Sequence, residues 1–183
     1  AALAYTGVLD PGNRHSVPYL WGTAGLGVNK EKATAIRPDA PLNSLALILD
    51  PAIAVDLSKC GIAVVDEPID FIQAIVAYLG GDIKSIGITD LEAVDVALSA
   101  VSDYIKVVSV ESYIDSLSEG KYCVALGYSG DIFFARDLAK ESKAGTIVYN
   151  VPKEGSALYF DLLVIPGKAQ NKAGAYQLIN YIL

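Results

Sequence analysis

The sequence holds a single histidine, His15, no methionine, and only two cysteines, Cys60 and Cys123. One histidine leaves little for imidazole-based acid–base work, and no grouping of His, Cys, Asp and Glu has metal-ligand spacing. Gly127-Tyr128-Ser129-Gly130-Asp131 looks like a hydrolase elbow, but Asp131 stands where the G-x-S-x-G pattern ends in Gly. His15 also precedes Ser129, whereas that fold places its histidine after the nucleophile. A thiol enzyme built from His15 with Cys60 or Cys123 fares no better, because both cysteines stand in apolar strand or helix-end contexts. Gly25 and Gly27 give only a G-x-G with no helix directly after it, which is not a phosphate loop. Positive charge is scarce as well. Fourteen Lys and Arg face 21 Asp and Glu, for a net charge of −7. That balance argues against a nucleic-acid partner and suits a cationic ligand or a basic partner. No apolar run reaches the roughly 18–20 residues that a membrane-spanning helix needs. There is no internal repeat and no low-complexity tract.

What is present is a chain able to build a core. It is 52% hydrophobic with a mean hydropathy of +0.38, which excludes disorder. Its 183 residues suffice for one sizeable core, or for a lobe and a half of a two-lobed protein. The cysteine pair permits one disulfide and hence an exported location; two buried free thiols fit equally well. The sequence starts AALAYTGVLD without an initiator Met and ends on QLINYIL without a helix stop signal. It reads as a piece of a longer chain.

Strands and helices alternate along it. Asp10-Pro11-Gly12-Asn13 is a turn signal, and residues 16–28 read as a strand interrupted by glycines. A charged connection follows, then short helices over 43–49 and 51–59, the second ended by Gly61. Residues 62–65 form an apolar strand. Pro68 opens a helix with the stripe Phe71, Ile72, Ile75, Val76 and Leu79. Thr89 with Glu92 is a capping-box pattern for the next helix. A strand over 106–110 and a short helix over 112–117 lead to the stretch 121–137, KYCVALGYSGDIFFARD. There a strand over 122–126 is broken by Gly127, and a helix follows with Ile132, Phe133, Ala135, Leu138 and Ala139 on its apolar side. Strands over 146–151 and 158–165 and a helix over 171–183 complete the chain. The alternation predicts an α/β class with a mixed or mostly parallel sheet flanked by helices.

The most informative side chains stand at strand ends. In an open α/β sheet, ligands bind at the carboxyl ends of the strands. Tyr128 and Asp131 mark one such end, and Asp66, Glu67 and Asp70 follow another strand. In YFDLL, Tyr159 and Asp161 are two apart and share a face. Carboxylates beside aromatic rings suit an alkylammonium ligand, with cation–π contacts of roughly 0.5–2 kcal/mol each and charge-assisted hydrogen bonds. A plainer reading stays open: an ordinary turn with an Asp favoured at a helix start, and a core Tyr beside a salt-bridged Asp.

Several stretches together resemble the solute-binding proteins of bacterial polyamine ABC transporters, most closely the putrescine-binding type. They are VPYLWGTAGLGVN (17–29), CGIAVVDEP (60–68), AYLGGD (77–82), SYIDSLSEGKYCVALGYSGDIFFARD (112–137) and VPKEGSALYFDLLVIPGKAQNKAGAYQLINYIL (151–183). The resemblance implies a two-lobed periplasmic binding protein of type II that closes on its ligand about a hinge, here as an incomplete chain. Residues 1–17 would be the tail of lobe one, 18–158 lobe two with the first hinge crossing, and 159–183 the second crossing and return to lobe one. It implies ligand contacts from Asp70, Tyr128, Asp131, Tyr159 and Asp161. Tyr128 stands where the family commonly has Trp, and Asp70 where it has the longer Glu. It implies a Cys60–Cys123 disulfide, a periplasmic location and no cofactor or metal. It further implies a monomer that delivers putrescine or spermidine to an inner-membrane permease without catalysis. The alternatives are a binding protein for another small cationic or peptide-like solute, an enzyme on a similar two-lobed fold, or a fragment that does not bind. The lack of a His, Cys or Lys at the candidate strand ends argues against the enzyme.

Overall fold

Residues 6–8 and 10–183 are described in the computed structural model. The chain divides into a smaller unit, Ala1–Gly22 with Leu158–Leu183, and a larger one, Thr23–Ala157. β1 (Ser16–Asn29) passes directly into α1 (Lys30–Ile36). The larger unit is built on a mixed sheet in the order β3-β2-β4-β1-β5. Within it β2 (Ile62–Val65), β3 (Ile105–Val108) and β4 (Val124–Tyr128) run parallel. β1 pairs antiparallel with β4 on one side and with β5 (Ile147–Asn150) on the other.

β2 is buried at every position, and β4 at all but its last, because helices cover both faces of the sheet. Alternate residues enter opposite cores. Ile62, Val64, Val124 and Leu126 join one cluster, while Ala63, Val65 and Ala125 join the other. The first face is covered by α2 (Ala46–Leu49), α3 (Pro51–Leu57), α4 (Pro68–Tyr78) and α5 (Ile88–Ser99). They contribute Leu47, Ile53, Phe71, Ile75 and Val94. The second face is covered by α6 (Val110–Ser118) and α7 (Ser129–Ser142) through Tyr113, Leu117, Ile132, Ala135 and Ala139. This is the mixed α/β class that the sequence predicts.

Cys60 follows α3 and Cys123 directly precedes β4. The two form a disulfide with a Cα–Cα distance of 5.5 Å, the pairing that the resemblance implies.

Three local expectations fail for physical reasons. The charged connection after β1 is helix α1, started at once because the Asn29 side chain accepts the Lys32 N–H at 3.2 Å. Gly127 does not break β4; it pairs with Gly25, and the strand runs on to Tyr128. Its missing Cβ serves packing instead, since a Cβ there would lie 2.7 Å from the Tyr113 ring. Helix α5 is capped at Gly87 rather than Thr89, with the Asp90 carboxylate accepting the Gly87 N–H at 2.8 Å.

In the smaller unit, β6 (Leu158–Val164) pairs with β1, and α8 (Lys172–Ile182) has no buried residue. The turn that leads into β1 is held by Asp10. That carboxylate accepts the N–H groups of Arg14, His15 and Ser16 and the Ser16 hydroxyl at 2.8–3.1 Å.

Candidate functional site

Because β2 and β4 are parallel neighbours, their carboxyl ends lie side by side. Each end opens a helix. After β2, Asp66 and Glu67 are exposed, Pro68 starts α4, and Asp70 falls in that helix's first turn. After β4, α7 begins without a connecting loop, and Asp131 falls in its first turn. Both carboxylates therefore stand where the helix dipole favours negative charge.

Two tyrosines join them. The Tyr128 hydroxyl donates to Asp70 Oδ2 at 2.8 Å. The Tyr128 N–H donates to the Tyr113 hydroxyl at 3.1 Å, and that hydroxyl donates to Asp131 Oδ2 at 2.9 Å. The result is one hydrogen-bonded run, Asp70–Tyr128–Tyr113–Asp131, drawn from α4, β4, α6 and α7. Asp70, Tyr128 and Asp131 are half-buried, so the carboxylates keep contact with water. A mainly apolar cleft adjoins the run, lined by Val64, Asp70, Phe71, Ala74, Leu126 and Tyr128 among others. Carboxylate acceptors, an aromatic ring and an apolar wall can receive an ammonium group and the alkyl stem attached to it.

A second polar cluster fixes the neighbouring part of β1. The Tyr149 hydroxyl donates to Thr23 O at 2.9 Å and contacts Thr23 Oγ1 at 2.5 Å, while the Thr23 N–H donates to Ser129 Oγ at 3.3 Å. A Cβ at Gly25 would collide with the Tyr149 hydroxyl and with Asn150 O, which accounts for that glycine in the strand.

Of the five candidates, Asp70, Tyr128 and Asp131 thus share one cluster in the larger unit. Tyr159 and Asp161 lie on β6 in the smaller unit, Tyr159 half-buried and Asp161 exposed. Tyr113 is the participant that sequence reasoning missed. Its signal was available: Tyr113 and Leu117 share a helix face, and Gly127 leaves space in an otherwise bulky strand. His15 is exposed. Among the described residues, no group of three or more His, Cys, Asp or Glu side chains could hold a metal ion. No helix there is long and apolar enough to cross a membrane.

The mixed sheet with helices on both faces and ligand-type groups at parallel strand ends is the architecture of a periplasmic binding protein. Residues 1–183 match the family model of bacterial extracellular solute-binding proteins, and the chain belongs to that family. Among curated relatives, it is 38% identical over 178 residues to the putrescine-binding periplasmic protein SpuD of Pseudomonas aeruginosa, covering 96% of this chain and 48% of that protein. It is also 38% identical over 178 residues to the putrescine-binding periplasmic protein PotF of Escherichia coli, covering 95% of this chain and 48% of the relative. The chain therefore spans about half the length of the curated relatives it matches. Among solved structures, it resembles the spermidine/putrescine ABC transporter substrate-binding protein PotD of Streptococcus pneumoniae with a TM-score of 0.72 at 25% identity, covering 100% of this chain and 52% of that one. A spermidine/putrescine ABC transporter protein of Listeria monocytogenes gives a TM-score of 0.74 at 28% identity, covering 93% of this chain and 48% of that one.

Proposed function

We propose that this chain forms part of a periplasmic protein that captures a polyamine, putrescine or spermidine, and hands it to an inner-membrane ABC permease. It binds as a monomer and without catalysis. The observation that carries the reading is the run Asp70–Tyr128–Tyr113–Asp131, which sets two carboxylates on either side of an aromatic residue at adjoining strand ends. A protonated polyamine has separated ammonium groups on an apolar stem, and this set offers acceptors for the first and a ring for the second. Tyr159 and Asp161 on β6 stand as ligand contacts on the strength of the family resemblance alone. The larger unit is then most of lobe two, and the smaller unit belongs to lobe one. The names of the relatives, putrescine-binding and spermidine/putrescine-binding, support the same ligand class.

Calorimetric titration of the intact protein with putrescine, spermidine and a panel of amino acids tests this. Polyamines bind and amino acids do not. Asp131→Asn and Asp161→Asn each weaken polyamine binding by about 10- to 100-fold, the loss expected when a charge-assisted hydrogen bond disappears. Preference for an amino acid, or unchanged polyamine affinity in both variants, refutes the assignment.

A further inference from the structure

We propose that Tyr113 is a positioning residue of the cation site, acting through Asp131 rather than by touching ligand. The role rests on the polyamine-binding reading above. Tyr113 is fully buried in the core formed by α6, α7 and the sheet. A ring placed there for packing alone has no use for a hydroxyl, because a buried phenol must find polar partners. Among its partners here are the two residues that flank the passage from β4 into α7.

The proton positions in this arrangement are determined. A backbone N–H can only donate, so the Tyr113 oxygen accepts from Tyr128. The phenol then has one proton to give, and it goes to Asp131 Oδ2. One oxygen of Asp131 is thereby fixed, and among the described residues no hydrogen bond engages Oδ1. The carboxylate is held in one rotamer with an acceptor available for an ammonium group. The same phenol satisfies the last N–H of β4, so the strand end that carries the Tyr128 ring is fixed along with the carboxylate. Gly127 makes this possible, since its missing Cβ admits the Tyr113 ring against the strand.

The test is a cycle of Tyr113→Phe, Asp131→Asn and the double variant in the intact protein, titrated with putrescine and spermidine. Thermal unfolding and amide exchange at Tyr128 are followed without ligand. Tyr113→Phe keeps the ring and removes only the hydroxyl. It is expected to weaken polyamine binding about tenfold, and to do so by less than about twofold once Asp131 is already Asn. Amide exchange at Tyr128 speeds up in Tyr113→Phe, because the Tyr128 N–H loses its acceptor. Equal losses in both backgrounds mean general destabilisation and overturn the role, as does full affinity in Tyr113→Phe. A wild-type protein that binds no polyamine overturns the functional reading and this role together, whereas polyamine binding that ignores Tyr113→Phe overturns the role alone.

Discussion

Replacing both bridged cysteines by serine, Cys60→Ser with Cys123→Ser, should cost about 4 kcal/mol of stability and little affinity. The bridge closes a loop of 63 residues that contains β2, α4, α5, β3 and α6. For that separation the chain-entropy expression gives about 14 cal/mol/K, or about 4 kcal/mol at 25 °C. The folded state should tolerate the change. Cys123 N–H already donates to Cys60 O at 3.1 Å and to Gly61 O at 2.9 Å, so the backbone holds the two positions together by itself. The new hydroxyls also have acceptors nearby. Leu57 O lies 3.3 Å from Cys60 Sγ, and Gly61 O lies 3.4 Å from Cys123 Sγ. The loss therefore comes mainly from freeing the unfolded chain. With a urea slope of about 2–3 kcal/mol/M, the unfolding midpoint should fall by about 1.5–2 M, and the slope should rise as the unfolded chain expands. Cys123 precedes the start of β4 and Tyr128 ends it, a span of about 16 Å along the strand, so polyamine affinity should stay within about threefold. Urea unfolding of the oxidised wild type and the double variant decides the matter. A midpoint change below about 0.3 M would refute the loop-closure reasoning. A tenfold loss of affinity would show that the bridge shapes the site.

Tyr128→Phe keeps the ring but removes the tether on Asp70, so polyamine affinity should drop about three- to tenfold by titration; a gain would mean that the phenol competes with ligand for that carboxylate. Glu31 should add an acid-sensitive element. Its carboxyl is held below the ordinary glutamate value of 4.5 by the Thr146 hydroxyl first and by the Thr146 N–H, which it accepts at 2.8 Å. A depressed folded-state pKa gives stability that is present above about pH 4.5 and is lost as pH falls through the lower folded value. Urea midpoints measured from pH 6 down to about pH 3 should therefore fall less steeply in Glu31→Gln than in wild type, and parallel curves would rule the linkage out.

How much of the fold was legible depended on how much each segment buries. β2 and β4 announce themselves because both their faces are covered, so they appear as unbroken apolar runs. α4 shows the periodic stripe of a helix with one face on the core, and Phe71, Ile75 and Val76 are buried as that stripe requires. α1 escapes notice for the opposite reason. Of KEKATAI only Ala33 is buried, so there is no stripe to find, and the helix is announced only by the Asn29 cap. α5 buries Val94 alone, and with so little packing to fix its start, the Thr89–Glu92 pattern gave way to the bond between Asp90 and Gly87. Gly127 misled because a glycine in a strand signals either a break or a close approach, and a single sequence does not say which.

The candidate site was legible as residues and illegible as contacts. Asp70 and Tyr128 are 58 positions apart, and they meet because β2 chose β4 as its parallel neighbour. Nothing local to either residue specifies that pairing. Tyr113 was hidden more deeply, since a tyrosine on the apolar side of a short helix looks like core until its hydroxyl is traced. The traced network has a direction that the separate residues do not reveal. Tyr128 donates from its hydroxyl toward Asp70 and from its N–H toward Tyr113, which passes a proton of its own toward Asp131. Both phenol protons in the run point outward to a carboxylate, and an ionised carboxylate only accepts. Two fixed anionic ends beside a ring are what a ligand with two ammonium groups on an alkyl stem demands. A single carboxylate facing a single cation would not require the tyrosines between them.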